Sequence, residues 1–111
     1  MEKKAALAGL AALSQETRLD IYRLLVERGP AGLAAGDIAG RLNLAAATLS
    51  FHLKELRRAG LITCRRAGRS LIYAADFRAM RGLVGYLTEN CCGEEACDST
   101  APRPHLEEME A

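Results

Sequence analysis

The sequence predicts a mainly α (α+β) domain of about five helices with one two-stranded β-hairpin, on three observations. The first is composition. The 111 residues include 20 Ala and 17 Leu against only six Val plus Ile, a balance that favours helix over sheet. The second is two short amphipathic stretches, near 35–42 and 46–59, separated by a tight turn at Asn43. The third is a change of period, from helical spacing to alternation, across residues 61–73; this is the signature of strands. A chain of this length has room for one compact domain.

Residues 3–12 read as a short helix with Leu7, Leu10 and Leu13 along one face, too short to persist without packing on something. Ser14 is the expected N-cap of a second helix over residues 15–28. Leu19, Tyr22, Leu25 and Val26 make its inner face, widened by Ile21 and Leu24, and Gly29-Pro30 stops it. A third helix takes residues 35–42 with Ile38, Ala39 and Leu42 inward. Asn43 tolerates the left-handed conformation that ends a helix, and Leu44 folds back beneath the turn. A fourth helix starts at Ala45 or Ala46. Leu49, Leu53 and Leu56 mark its buried stripe, and Ala59-Gly60 closes it. Strands at 61–66 and 70–73 flank Ala67-Gly68-Arg69, where Gly68 supplies a positive φ. Residues 76–90 form the last helix, with Phe77, Met80, Leu83, Val84 and Leu87 as its apolar side. Residues 1–92 are thus expected to form the folded domain. Residues 93–111 are expected to be a cysteine-containing loop and a disordered acidic tail, polar and with Pro102 and Pro104 from Asp98 onward.

A net charge of +1 conceals an asymmetry. Residues 51–81 carry eight Lys or Arg against Glu55 and Asp76, whereas residues 82–111 carry seven carboxylates against Arg103. A basic middle is the electrostatic footprint of a nucleic-acid binder, although a solvated charged face has the same composition. The start, Met1-Glu2-Lys3-Lys4 before an apolar run, superficially resembles a signal peptide. The helical spacing of its leucines, leading into a second amphipathic helix, argues for a folded element instead. No run reaches membrane-spanning length, so a cytoplasmic protein with reduced thiols is expected.

Helix, tight turn and helix make a helix-turn-helix unit. On its second helix the face away from the leucines shows Ala46, Thr48, Ser50, Phe51 and Lys54, with His52 and Arg57 flanking. Small and hydrogen-bonding residues at the N-terminal end suit a major groove, and Lys54, Arg57 and Arg58 suit phosphates. Arg65, Arg66 and Arg69 cluster at the hairpin tip, which reads as a wing reaching phosphates or a minor groove. Cys64, in the first strand, is read as a packed small hydrophobe, and Tyr73 and Phe77 as core. The chain lacks a C-x-x-C pair, a Gly-rich phosphate loop and a βαβ pattern, so an enzyme is not expected.

Three of the four cysteines, Cys91, Cys92 and Cys97, fall within seven residues. Neighbouring helical positions point about 100° apart, so Cys91 and Cys92 share a ligand only if the helix ends or unwinds there. Gly93 permits that exit, and the loop after it can return Cys97 to the same ion.

With Thr48-Leu49-Ser50-Phe51-His52-Leu53-Lys54-Glu55-Leu56, Ala59-Gly60-Leu61-Ile62 and Leu87-Thr88-Glu89-Asn90-Cys91-Cys92, residues 10–97 resemble the ArsR/SmtB metalloregulators, winged helix-turn-helix repressors. The last segment resembles the arsenic-responsive subgroup with C-terminal cysteines. The resemblance implies a homodimer through the first and last helices, bound to a palindromic operator and released by its effector. It departs from the family in two places. The helix Gly36-Asp37-Ile38-Ala39-Gly40-Arg41-Leu42 lacks the cysteines of a common family metal site. Ala45-Ala46-Ala47 also replaces polar residues, which makes Thr48 and Ser50 better base contacts than Ala46. The implied function is an arsenic-resistance repressor whose Cys91, Cys92 and Cys97 bind As(III) or Sb(III), a soft ion matched by three thiolates. Zinc or cadmium, methylarsenite through the vicinal pair, and a thiol redox sensor are the alternatives.

Overall fold

The computed structural model describes residues 1–93. It contains five helices and a three-stranded sheet in the order α1 (Lys3–Leu13), α2 (Glu16–Arg28), β1 (Leu33–Ala34), α3 (Ala35–Leu42), α4 (Ala46–Arg58), β2 (Ile62–Ala67), β3 (Ser70–Ala75) and α5 (Phe77–Thr88). Ile21, Leu25, Ile38, Leu56 and Leu61 are the largest fully enclosed side chains. They come from α2, α3, α4 and the entry to β2, so one core ties the helix-turn-helix unit to the hairpin.

The turn between α3 and α4 has the expected geometry. Asn43 is left-handed (φ 53°, ψ 52°), and the Leu44 amide donates at 3.0 Å to the Ala39 carbonyl, which also accepts from the Asn43 amide, so the turn is closed by a shared acceptor. At the hairpin, Ala67 pairs with Ser70, leaving a two-residue turn. Gly68 has φ +62° and Arg69 is not left-handed, the pattern of a type II′ turn.

Two local expectations are corrected. Ser14 does not cap α2: its hydroxyl donates back to the Ala11 carbonyl (2.9 Å), and the Gln15 side chain accepts from the Arg18 amide (2.8 Å) instead. The sheet has a third strand, β1, antiparallel to β3 with Leu33 opposite Tyr73, giving the order β1-β3-β2. Two residues are too few to show alternation, so this strand exists only through its tertiary pairing. Gly32 permits it: at φ +70°, a β-carbon there would collide with the Tyr73 carbonyl oxygen. Helix α1 turns Ala6, Gly9 and Ala12 inward, while Leu7 and Leu10 are 58 % and 39 % exposed. Helix α5 likewise buries Leu83 but leaves Val84 and Leu87 more than half exposed.

Candidate nucleic-acid interface and thiol turn

Helix α4 has good reason to present one face to solvent. Leu49, Leu53 and Leu56 are enclosed, at 2 %, 3 % and 0 % exposure, which fixes the rotation of the helix about its axis. Ala46, Thr48, Ser50, Phe51, Lys54 and Arg57 then fall outward, as the sequence predicts. Phe51 is 56 % exposed, with its ring edge-on to His52 at 5.4 Å between centroids. An open groove of about 440 Å³ runs beside this face, lined by Ser50, Lys54, Arg57, Arg58 and Tyr73. Arg58 also lies 3.9 Å from Glu55, a surface pair of little energetic weight.

His52 is a correction. It is 8 % exposed and faces inward, with Nδ1 3.4 Å from Nη1 of Arg18 on α2. Burial, and then the Arg18 charge, lower its pKa from the ordinary value. His52 therefore supports α4 from behind and does not belong to the exposed face. Sequence reasoning missed Arg18, whose sole signal was an arginine on a stretch otherwise read as an inner face.

The wing arginines separate into two kinds. Arg65, Arg66 and Arg69 are all exposed, and among the described residues Arg66 and Arg69 donate to no carbonyl of the domain. Arg65 donates from Nη2 to the Ala31 carbonyl at 2.9 Å, so it links the wing to the loop before β1. Tyr73, read as core, is 9 % exposed yet also lines the basic groove. Burial foremost, then a hydrogen bond with Cys64, raises its phenol pKa above the usual value. Cys64 is half-buried against the core, as expected of a small hydrophobe.

At the other end of the domain, α5 is capped by the Asp76 carboxylate, which accepts from the Ala79 amide at 3.0 Å. The helix stops at Thr88, two residues before the expected end. Tight turns follow: the Cys91 amide donates to the Thr88 carbonyl (2.9 Å) and the Gly93 amide to that of Asn90 (3.0 Å). Asn90, Cys92 and Gly93 all have positive φ, at 56°, 67° and 62°. For Cys92 this conformation costs on the order of 1–2 kcal/mol, and its consequence is geometric. The sulfurs of Cys91 and Cys92 lie 3.6 Å apart, a separation that neighbouring positions on a continuing helix do not readily give, and Cys92 is disulfide-bonded. Among the described residues no group of three or more His, Cys, Asp or Glu converges as a metal site. Cys97 lies outside the described residues.

A model of the helix-turn-helix domain matches residues 13–65. The transcriptional activator HlyU of Vibrio cholerae is 32 % identical over 94 residues, covering 83 % of this chain and 84 % of that protein. The chain is a member of the ArsR/SmtB family of winged helix-turn-helix regulators. Among solved structures of this family, an ArsR-like transcriptional regulator from Rhodococcus superimposes with a TM-score of 0.68 at 30 % identity, covering 76 % of each chain. A possible transcriptional regulator for arsenical resistance superimposes with a TM-score of 0.62 at 25 % identity, covering 71 % of this chain and 79 % of that one. These ArsR/SmtB relatives are transcription regulators carrying a helix-turn-helix domain. In this fold α4 is the second helix of the helix-turn-helix unit and the β2–β3 hairpin is the wing. No helix among the described residues is long and apolar enough to cross a membrane.

Proposed function

We propose that this ArsR/SmtB protein is a repressor of an arsenic-resistance operon that leaves its operator when As(III), or Sb(III), binds Cys91, Cys92 and Cys97. The observation that carries the reading is the turn after α5, which sets the Cys91 and Cys92 sulfurs 3.6 Å apart. Cys92 is disulfide-bonded in this structure, so the reading assigns ion binding to the reduced form. Once Cys92 is reduced, sulfurs this close on one turn are within reach of a single soft ion. Three sulfurs with no obvious fourth ligand suit trivalent arsenic better than zinc. The likeness to a regulator named for arsenical resistance is in keeping with this.

In this reading the operator is palindromic DNA and the protein a homodimer. Thr48 and Ser50 address base edges, Lys54, Arg57, Arg66 and Arg69 address phosphates, and Ala46 and Phe51 contribute apolar contact. Leu7, Leu10, Val84 and Leu87, exposed on α1 and α5, form the dimer face. The thiol turn begins one residue after α5 ends, so ion binding reorganises that face and changes the spacing of the two recognition helices. The 3.6 Å pair also favours one second reading: methylarsenite, which needs only two sulfurs.

Arsenite, antimonite, methylarsenite, zinc and cadmium are to be titrated against the protein bound to DNA from its own promoter, in a gel-shift assay. Arsenite should release the DNA at concentrations where zinc does not. Cys91→Ser, Cys92→Ser and Cys97→Ser should each bind DNA normally and ignore arsenite. If methylarsenite releases Cys97→Ser but neither of the other two, the second reading holds. Release of all three variants by arsenite would eliminate the thiol site.

A further inference from the structure

We propose that Arg18 is a positioning residue for DNA binding: it joins the end of α1 to the buried face of the recognition helix through His52. The inference rests on the reading of α4 as the DNA-contacting helix. Arg18 makes three contacts at one point. Its amide donates to the Gln15 side chain that caps α2 (2.8 Å), and its Nε donates to the Ala12 carbonyl (2.7 Å). That carbonyl belongs to the last turn of α1, where carbonyls lack helical partners and the helix dipole favours a cation. The third contact is Nη1 to His52 Nδ1 at 3.4 Å, across 34 residues of sequence.

The chemistry of the pair fixes its polarity. A guanidinium has only donors, so His52 Nδ1 accepts and the ring proton sits on Nε2. Arg18 thereby selects one neutral tautomer and holds the ring against α2. His52 lies between Phe51 on the exposed face and Leu53 in the core, so the ring is a second brace, beside the three enclosed leucines, on how α4 presents Ser50 and Phe51. The crevice beside this contact is lined by Ala8, Ala11 and Ala12 of α1, Arg18 of α2, and Glu55, Arg58 and Ala59 from α4 and its end. Helix α1 thus adds no charged side chain there, and Arg18 is its polar tie to the recognition helix. A shift of α1 draws on the Ala12 carbonyl, hence on Arg18, and hence on the ring behind α4.

The test combines a spectroscopic signature with a double-mutant cycle on affinity for a duplex selected by the protein from a random library. In ¹⁵N-histidine NMR the wild-type His52 should be neutral with a bare Nδ1, and Arg18→Gln should abolish that preference. Arg18→Gln and His52→Leu should each weaken duplex binding about tenfold or more, and the double variant should be within about twofold of the weaker single, as coupled residues require. His52→Asn, whose Oδ1 replaces the Nδ1 acceptor, should stay within about threefold of wild type. A protonated Nδ1 in the wild type, or losses that multiply in the double variant, would overturn the proposal. If the wild type binds no duplex, the DNA reading itself fails, and the tautomer still decides whether Arg18 holds the ring.

Discussion

Helices α1 and α4 carry the same kind of sequence pattern and use it in opposite ways. Both place leucines at helical spacing. In α4 those leucines, Leu49, Leu53 and Leu56, are enclosed and the small or polar residues face out. In α1 the small residues Ala6, Gly9 and Ala12 face in, while Leu7 and Leu10 face out. Period alone therefore identifies an amphipathic helix without saying which face belongs to the domain's own core. Two surfaces compete for α1: its own domain, which admits only small residues at close range, and the outward face, where Leu7 and Leu10 are exposed as Val84 and Leu87 are on α5. Where exposed apolar side chains gather into one patch they mark a partner surface.

The sharpest way to break this contrast is to truncate one leucine of each helix. Leu56→Ala should destabilise the domain by about 2–5 kcal/mol, the usual range for a cavity in an enclosed site. Leu10→Ala should cost the isolated domain far less, about 1 kcal/mol or below, because Leu10 is 39 % exposed and surface truncations are small. The loss should appear instead in how thermal midpoint depends on protein concentration, since association contributes stability by mass action. Equal losses for the two variants at every concentration would erase the distinction. Gly9 probes the inner face of α1. Its added β-carbon would stand 3.4 Å from Leu61 Cδ2 and 3.7 Å from Leu83 Cδ2, ordinary contact. Gly9→Ala should therefore gain up to about 1 kcal/mol from helix propensity, whereas Gly9→Leu should lose about 1–3 kcal/mol by overpacking. Chemical denaturation of both measures the two signs.

The same contrast explains what was legible in the sequence. Where a residue's role follows from local chemistry, the reading is close: Asn43 ends α3, Gly68 turns the hairpin, and the leucines of α4 orient its exposed face. Roles set by tertiary contact were not legible. Strand β1 is two residues long and exists because Gly32 lets its backbone approach Tyr73. The inward rotation of His52 depends on Arg18, 34 positions away. The candidate thiol turn falls between these cases. The reasoning that adjacent cysteines can share an ion only off the helix agrees with α5 ending at Thr88. The positive φ of Asn90 and Cys92 has no glycine to announce it.

A smaller effect separates the wing from α4. All three wing arginines are exposed, and Arg65 in addition donates to the Ala31 carbonyl. Replacing Arg66 and Arg69 together by Ser should lower the slope of log affinity against log salt by about 2, one per phosphate contact. Arg65→Ser should change the slope less and lower thermal stability more, because it removes a tie to the loop before β1. Fluorescence anisotropy across a salt series measures the slopes. Equal slopes for the Arg65 and Arg69 single variants would show that the Ala31 contact does not restrain Arg65.

The smallest expected effect tests whether α1 and α4 behave as one unit, and its sign follows from His52. Burial, and secondarily the Arg18 charge, lower the His52 pKa in the folded protein. Between that lowered value and about 6.5, the unfolded chain holds a proton that the folded chain does not. Stability therefore rises with pH across this window: the contribution is complete above about pH 6.5 and is lost as pH falls through the folded value. Thermal midpoints measured from about pH 7 down to pH 5 should fall more steeply for the wild type than for His52→Asn, which has no titrating ring. Arg18→Gln should give an intermediate slope, because it removes the charge but leaves the burial. The raised phenols of Tyr22 and Tyr73 titrate in the alkaline range and do not enter the comparison. A direct readout of duplex affinity sharpens the point further. Protonating His52 adds a positive charge to the recognition helix, which general electrostatics would turn into tighter DNA binding. Weaker binding at low pH that disappears in His52→Asn would mean that the neutral, Arg18-held ring outweighs that added charge.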